Sequence, residues 1–549
     1  VSGEQVAPGG QAGAAAASGG AAGGPAGSAG SVGAALAARR SRTPRPPVTP
    51  GFLRARAVLL LVAGVAAFVI AGTTAATAGP AQVAVGRGGS LLPVVQTASR
   101  LSHLWDCPGP LPVGPGAEKS FVDVVDPGSR TAVVSVAVTP VAPSSAPLGA
   151  SLSSSASRSL TVPAGTEQTV ALPTTGLAGY AAVSVLTGDT AVAVSEVVTG
   201  GVQPLESPCE LGTSVRSYLA PASTADRSDL ELAIADPTAT PAVVNVHAFV
   251  KTQQVSPPPL QGLSVPAGGV TVVDLAHYVV QQQLVGLSVT ANGGRVAIGG
   301  LEHVFEPHIG AGNALVTGVG LPRSNWVLPP GPGVAGKSVL VRVLDPGTRA
   351  TTVTVLSPFS AQPTSEISLQ VAAGSAAEVA MPVPASRPGS AAGAAAKSGT
   401  SAAPPAEGPI TVLSSEGVGV VVSTVTSVPV VSSGQPDVAV VGVPAEETST
   451  AWLLPGATST GLANDDLEVS NPGSTTVHVV VDRFNASGMT QVATLDVPGG
   501  TTAWVKLWET IRNTPVFSLR VTSSGPVSVS QAFTSKQGRG GASGIPAVG

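Results

Sequence analysis

The densest group of residues able to do chemistry in this 549-residue chain is Glu302-His303-Val304-Phe305-Glu306-Pro307-His308. Two imidazoles and two carboxylates this close could ligate a transition metal, because His nitrogen and carboxylate oxygen are ordinary zinc donors. The spacing matches no established ligand motif, and Pro307 prevents the regular helix face that would align the two imidazoles. A strand end running into a loop is the simpler reading, and no metal or other cofactor is expected. Asp126, Asp236 and Asp345 invite a calcium reading, but an Asp-Pro turn supplies one carboxylate where calcium takes six to eight oxygens. Asn471 stands at the corresponding place further on, so turn capping explains all four. Asn464-Asp465-Asp466 is the densest acidic spot and reads equally well as a solvated loop. Trp504, Lys506 and Trp508 share one face of a candidate strand, which could stack a sugar; Val505 and Leu507 make the other face apolar too, which suits a packed edge. His247 and His478 fall out of phase with neighbouring Val pairs and should face solvent. No nucleophile elbow, phosphate loop, dinucleotide fingerprint or paired metal-ligand motif occurs.

The elements that must position these residues repeat. An aromatic opens Trp/Tyr-x-x-Pro at Trp105, Tyr218, Trp326 and Trp452, in steps of 113, 108 and 126 residues. About twenty residues later comes a turn: Asp126-Pro127-Gly128, Asp236-Pro237, Asp345-Pro346-Gly347 and Asn471-Pro472-Gly473. Val then recurs in pairs: Val134 and Val136, Val244 and Val246, Val353 and Val355, Val479 and Val481. This period of two marks a half-buried strand. A second turn follows at Val162-Pro163-Ala164-Gly165, Val265-Pro266-Ala267-Gly268, Val371-Ala372-Ala373-Gly374 and Val497-Pro498-Gly499-Gly500. Apolar alternation on both sides of it predicts a hairpin. About six or seven short strands per copy suggest an antiparallel sandwich. With aromatics only 3% of the chain, the four openers read first as structural plugs and second as a row of exposed binding aromatics.

Residues 7–38 are almost entirely Ala, Gly, Ser and Pro, a composition that builds no packed core. Six arginines follow between Arg39 and Arg56, then an uncharged run over 57–78 long enough to span a bilayer. The arginines place the N-terminus in the cytoplasm and the repeats outside. A cleaved signal peptide is the alternative, with Ala76-Thr77-Ala78 as a small-residue cleavage site; either way the repeats are exported. Residue 1 is Val, as expected of a non-ATG start or a truncated chain. Residues 1–56 carry a net charge of +5 and the remainder −9, which argues against nucleic acid as a partner. The only two cysteines, Cys107 and Cys209, bracket the first copy, and in an exported module they are expected to pair.

The arrangement resembles a family of actinobacterial exported, membrane-anchored proteins of unknown function with Val-rich immunoglobulin-like repeats. The Trp105-Asp106-Cys107-Pro108 opening, the single span and the Asn-Pro-Gly and Val-Pro-Ala-Gly turns carry the resemblance, which supplies no activity. The expected fold class is therefore all-β: four tandem antiparallel β-sandwich (immunoglobulin-like) repeats after a disordered N-terminus and one transmembrane helix. The alternative is a propeller-like closed β assembly. The expected division is a cytoplasmic segment (1–56), the anchor or signal peptide (57–78), a tether (79–100), repeats over 101–212, 213–312, 320–434 and 446–537, and a flexible tail (538–549). The third repeat holds a loop insertion at 385–409. The expected function is a non-catalytic cell-envelope scaffold or binding protein, with a cell-wall polymer or an envelope protein as partner and the membrane engaged through 57–78. The alternative is an envelope enzyme acting on glycans with a site between repeats.

Overall fold

Val governs the local structure. Val134, Val136, Val244, Val246, Val353, Val355, Val479 and Val481 are all buried, while Ser135, Asn245, Thr354 and Val480 between them are half-buried. β-branched side chains at every second position give each strand one core face and one freer face. The computed structural model describes residues 95–96, 104–107, 109, 119–140, 156–172, 179–187, 192–199, 205–306, 309–331, 337–359, 366–383, 408–428, 438–442, 448–459, 463–485, 488–535, 539–543 and 545–548. These residues are built almost wholly from antiparallel strands. No described helix is long and apolar enough to cross a membrane. The expected anchor at 57–78, the segment before it, and nearly all of the tether and of the 385–409 insertion lie outside the described residues.

The stretch from 325 to 442 shows the scheme most plainly. Its eight strands form two sheets. One runs in the order Asn325–Leu328, Ile410–Ser414, Thr351–Leu356, Glu366–Val371; the other runs Ser375–Pro382, Ser338–Asp345, Val421–Val428, Val438–Gly442. The same pairing order recurs, with small additions, in the stretches 104–211 and 216–317. In the last stretch the 22-residue strand Thr514–Ser535 belongs to both layers and joins them into one sheet. Each stretch is called a segment below, numbered one to four.

Turn chemistry sets these registers. Asp126, Asp236, Asp345 and Asn471 each accept, through Oδ1, the backbone N–H two residues on, at 2.8–2.9 Å. Gly165, Gly268, Gly374 and Gly500 in the second turn all have φ between 63° and 69°, the left-handed region where glycine carries no Cβ penalty. The two turns meet: Gly165 N donates to Asp126 O at 2.9 Å and Gly268 N to Thr238 O at 3.0 Å.

The last strand of each scheme was not predicted from sequence, and it organises the whole. Leu205–Pro208, Gly310–Thr317, Val438–Gly442 and Arg539–Ser543 lie against one another in turn, and the fourth returns to the first. Ser449–Ser459 of segment four also packs on Lys119–Asp126 and Ala193–Thr199 of segment one. The segments thus follow a closed circuit, which an open row of repeats would not produce. Three expected boundaries are overrun as a result, the first being the end at 312, which Gly310–Thr317 passes. Val438–Gly442 lies beyond the end expected at 434, and the tail expected to be flexible over 538–549 contains Arg539–Ser543 and Ile545–Val548. The latter pairs with Trp452 and Leu453 and, in parallel, with Val95 and Gln96.

Candidate functional site

The joints between segments hold the buried charge. Three residues before each first turn, within the strand that leads to it, stand Asp123, Ala233, Arg342 and Glu468. Three of them meet the backbone that follows the preceding segment's opener. Asp123 accepts from Gly456 N at 3.1 Å, from Thr169 Oγ1 at 3.1 Å and from Ser518 Oγ. Ser195 Oγ beside it donates to Pro455 O at 2.9 Å. Glu468 accepts from Gly331 N at 3.2 Å and from Ser530 Oγ at 3.1 Å. Arg342 Nη1 reaches Pro221 O at 3.5 Å. Gly456 shows how close this approach is: its φ is 93°, and a Cβ there would sit 2.4 Å from Val197 Cγ2. The joint between segments one and two is knit differently. Glu210 Oε2 accepts from Ile298 N at 3.1 Å, and Ser207 and Thr317 hydroxyls lie 2.6 Å apart.

Arg342 is fully buried and binds three carboxylates: Glu302 at 2.8 Å, Glu306 at 2.8 Å and Glu378 at 3.0 Å. Two of these belong to the cluster singled out from sequence, and they converge with a carboxylate of the next segment, but on a guanidinium. His303 follows Glu302 on a strand, so it points to the opposite face, where it is exposed and bonds Asn313 at 2.6 Å; His308 lies outside the described residues. Burial raises Glu302 and Glu306, and Arg342 pulls both down. Protonation thereby relieves a site in which three carboxylates outnumber one cation. Among the described residues no group of three or more His, Cys, Asp or Glu is placed to hold a metal ion.

A second acidic group lines the joint of segments four and one. Burial pushes Asp123 up to about 6; Glu196, on the opposite face of its strand and beside Gly109 of its own segment, is likewise pushed up by burial, to about 8. Burial, then the charge of Asp123, pushes Glu167 up to about 8. Glu206 is held well above the carboxylate range by burial and by Asp465 and Asp123. Asp465 is held there by burial and Asp466. The Asn464-Asp465-Asp466 spot is therefore not a solvated loop: it lies on the strand Ala463–Asn471, with Asp465 buried and bonded by Gln531 Nε2 at 2.9 Å.

The remaining candidates separate. Cys107 and Cys209 form a disulfide closing a separation of 102 residues. Trp105, Trp326 and Trp452 fill the cores of their own segments. Trp326 Nε1 donates to Val420 O at 2.9 Å, and Trp452 Nε1 to Val527 O at 3.0 Å. Tyr218 is one residue out of register with them. The bridge Arg323↔Val420 lies three residues before Trp326, and its counterpart Ser214↔Val296 lies three before Ser217. Ser217 therefore takes the Trp position, and Tyr218 faces the other side of its sheet, toward segment three's core. Trp504, Lys506 and Trp508 do not share a strand face either, because the strand ends at Lys506 and a single helical turn, Leu507–Thr510, carries Trp508. His478 is exposed and pairs with Asp496 at 2.8 Å.

A pocket of about 220 Å³, with Tyr218 in its lining, lies at the joint of segments two and three. Two cross-strand rows floor it: Arg216, Thr290 and Asn245, then Tyr218, Ser288 and His247. Phe249 and Pro346 help line it. Among these only Arg216 and His247 can be charged, and both are basic; His247 Nδ1 lies 2.7 Å from Ser256 Oγ. Burial and the nearby Arg216 lower the His247 pKa, so it is neutral at pH 7.

The molecule so described is an all-β protein whose buried charges serve its joints. A model for a family of unknown function (DUF5719) matches residues 207–404, from the end of segment one into segment three. No curated protein matches the chain.

Proposed function

We propose that the protein is a non-catalytic binding scaffold of the cell envelope, exported and anchored through 57–78. In this reading its four segments are two-sheet, immunoglobulin-like repeats closed into a propeller-like ring. The observation that carries the reading is the placement of acid groups. A glycan hydrolase needs two carboxyl groups flanking a bound substrate. Asp123, Glu206, Asp465 and Glu302 are instead buried at the joints, and Glu196 is buried within segment one; the open pocket between segments two and three is lined without a carboxylate. A partner of cell-wall polymer or envelope protein fits the arginines ahead of 57–78 and the acidic balance after it. The test is capture: full-length protein incubated with intact envelope fractions, purified peptidoglycan and purified wall polysaccharide should be retained by at least one. Retention by none of them, in a protein shown to be folded, would defeat the proposal.

A further inference from the structure

We infer that the pocket between segments two and three binds a carboxylate-bearing sugar ring. This inference rests on the binding reading above and names its ligand.

Charge and donor count point to this class of ligand. Arg216 is exposed, and among the described residues its guanidinium has no ion-pair partner. No acidic residue lines the pocket. A planar guanidinium matches a carboxylate with two parallel N–H···O bonds. With His247 neutral, the pocket offers a single positive charge, which suits a monoanion better than a phosphate dianion.

The rest of the floor is made for hydroxyls. Thr290 and Asn245 continue Arg216's row across the sheet, and Ser288 and His247 continue Tyr218's. Asn245 Oδ1 is already used by Gly262 N at 2.7 Å, so its amide NH₂ is left to donate. His247 Nδ1 is engaged with Ser256, which leaves Nε2 for a ligand. The two rows alternate with core residues Leu219, Leu287, Val244 and Val246, so the strands fix their positions from behind. At about 220 Å³ the pocket is smaller than the roughly 300–1,000 Å³ of drug-sized sites, which limits it to about one ring of a longer chain. Pro346, contributed by segment three, makes the site depend on the joint being closed.

The test uses full-length protein in detergent, titrated with galacturonic acid or glucuronic acid. Galactose, methyl galacturonate and inorganic phosphate serve as comparisons, and ligand-observed NMR is the readout. At least one uronic acid should bind, with galactose and the methyl ester at least ~10-fold weaker, the lower end for a lost charge-assisted pair. Arg216→Gln should lose about the same factor, Arg216→Lys should recover part of it, and both should melt with the wild type. Equal binding of galactose and the acids, no binding of either acid, or phosphate binding as tightly would each overturn the inference. Capture of the protein by an envelope polymer that Arg216→Gln leaves unchanged would overturn it while the binding reading stood.

Discussion

Replacing Arg342 by Met tests the account of the joints most sharply. Met fills similar volume but carries no charge, so the substitution strands carboxylates around the vacated head group. Glu302 has a side chain 2% exposed and cannot recruit water, whereas Glu306 and Glu378, at 25% and 28%, can in part. Removing one partner of a buried pair typically costs about 3–5 kcal/mol, and two partly exposed partners place this site toward the lower figure, about 3 kcal/mol. The pH dependence carries more information than the size. Burial already raises Glu302 and Glu306, and losing the cation raises them further. A group whose folded pKa lies above its unfolded value stabilises most below the unfolded pKa, and that stability is lost as pH rises through the folded pKa. R342M should therefore be hurt less at pH 5 than at pH 8, because the raised carboxyls take up protons more readily as pH falls. Glu302→Gln added to Arg342→Met should recover part of the loss. The assay is urea unfolding at both pH values, with hydrogen exchange following Ala297–Glu306 and Ser338–Asp345. A loss below 1 kcal/mol, or one identical at pH 5 and pH 8, would refute the reasoning.

Three further outcomes follow from the same geometry. Asp123 and Glu167 have folded pKa values of about 6 and 8. Stability of the joint between segments four and one should thus be greatest near pH 4 and fall as pH rises to about 8, by several kcal/mol; a melting temperature that climbs over this window would contradict the assignment. Gly456→Ala combines a left-handed φ with a clash on Val197 and should cost about 2 kcal/mol or more, seen as faster exchange at the Ala193–Thr199 amides; unchanged exchange there would count against the close approach. Removing the disulfide with Cys107→Ser and Cys209→Ser together should cost about 2–5 kcal/mol, measured by thermal melting against the oxidised protein; an unchanged melting temperature would show that the bridge adds nothing to stability.

Much of the fold was legible because its signals are local. The Val pairs and the two turns, at Asp126 and Gly165 in the first segment, act over a few residues, and each produces the strand or left-handed glycine that its chemistry demands. Two of the four last strands were missed for the opposite reason. Gly310–Thr317 reads Gly-Ala-Gly-Asn-Ala-Leu-Val-Thr and Arg539–Ser543 reads Arg-Gly-Gly-Ala-Ser. Small residues of low strand propensity become strands there because neighbouring segments supply the partners. Tyr218 was misplaced by one position because Trp/Tyr-x-x-Pro spacing ignores which face a side chain takes, and Ser217 gives no aromatic signal. Arg342 did leave a trace. A charge in the middle of Ser-Val-Leu-Val-Arg-Val-Leu, like Asp123 in Ser-Phe-Val-Asp-Val-Val, has to find a partner from elsewhere. Which partner it finds depends on the circuit of segments, and nothing local encodes that.

The central claim is that the protein holds an envelope polymer without cutting it. The direct measurement is to co-sediment full-length protein with purified wall polysaccharide and peptidoglycan while following soluble reducing ends over time. The account predicts protein in the pellet and no reducing ends above the polymer-only control. Reducing ends that accumulate in proportion to protein concentration would contradict it.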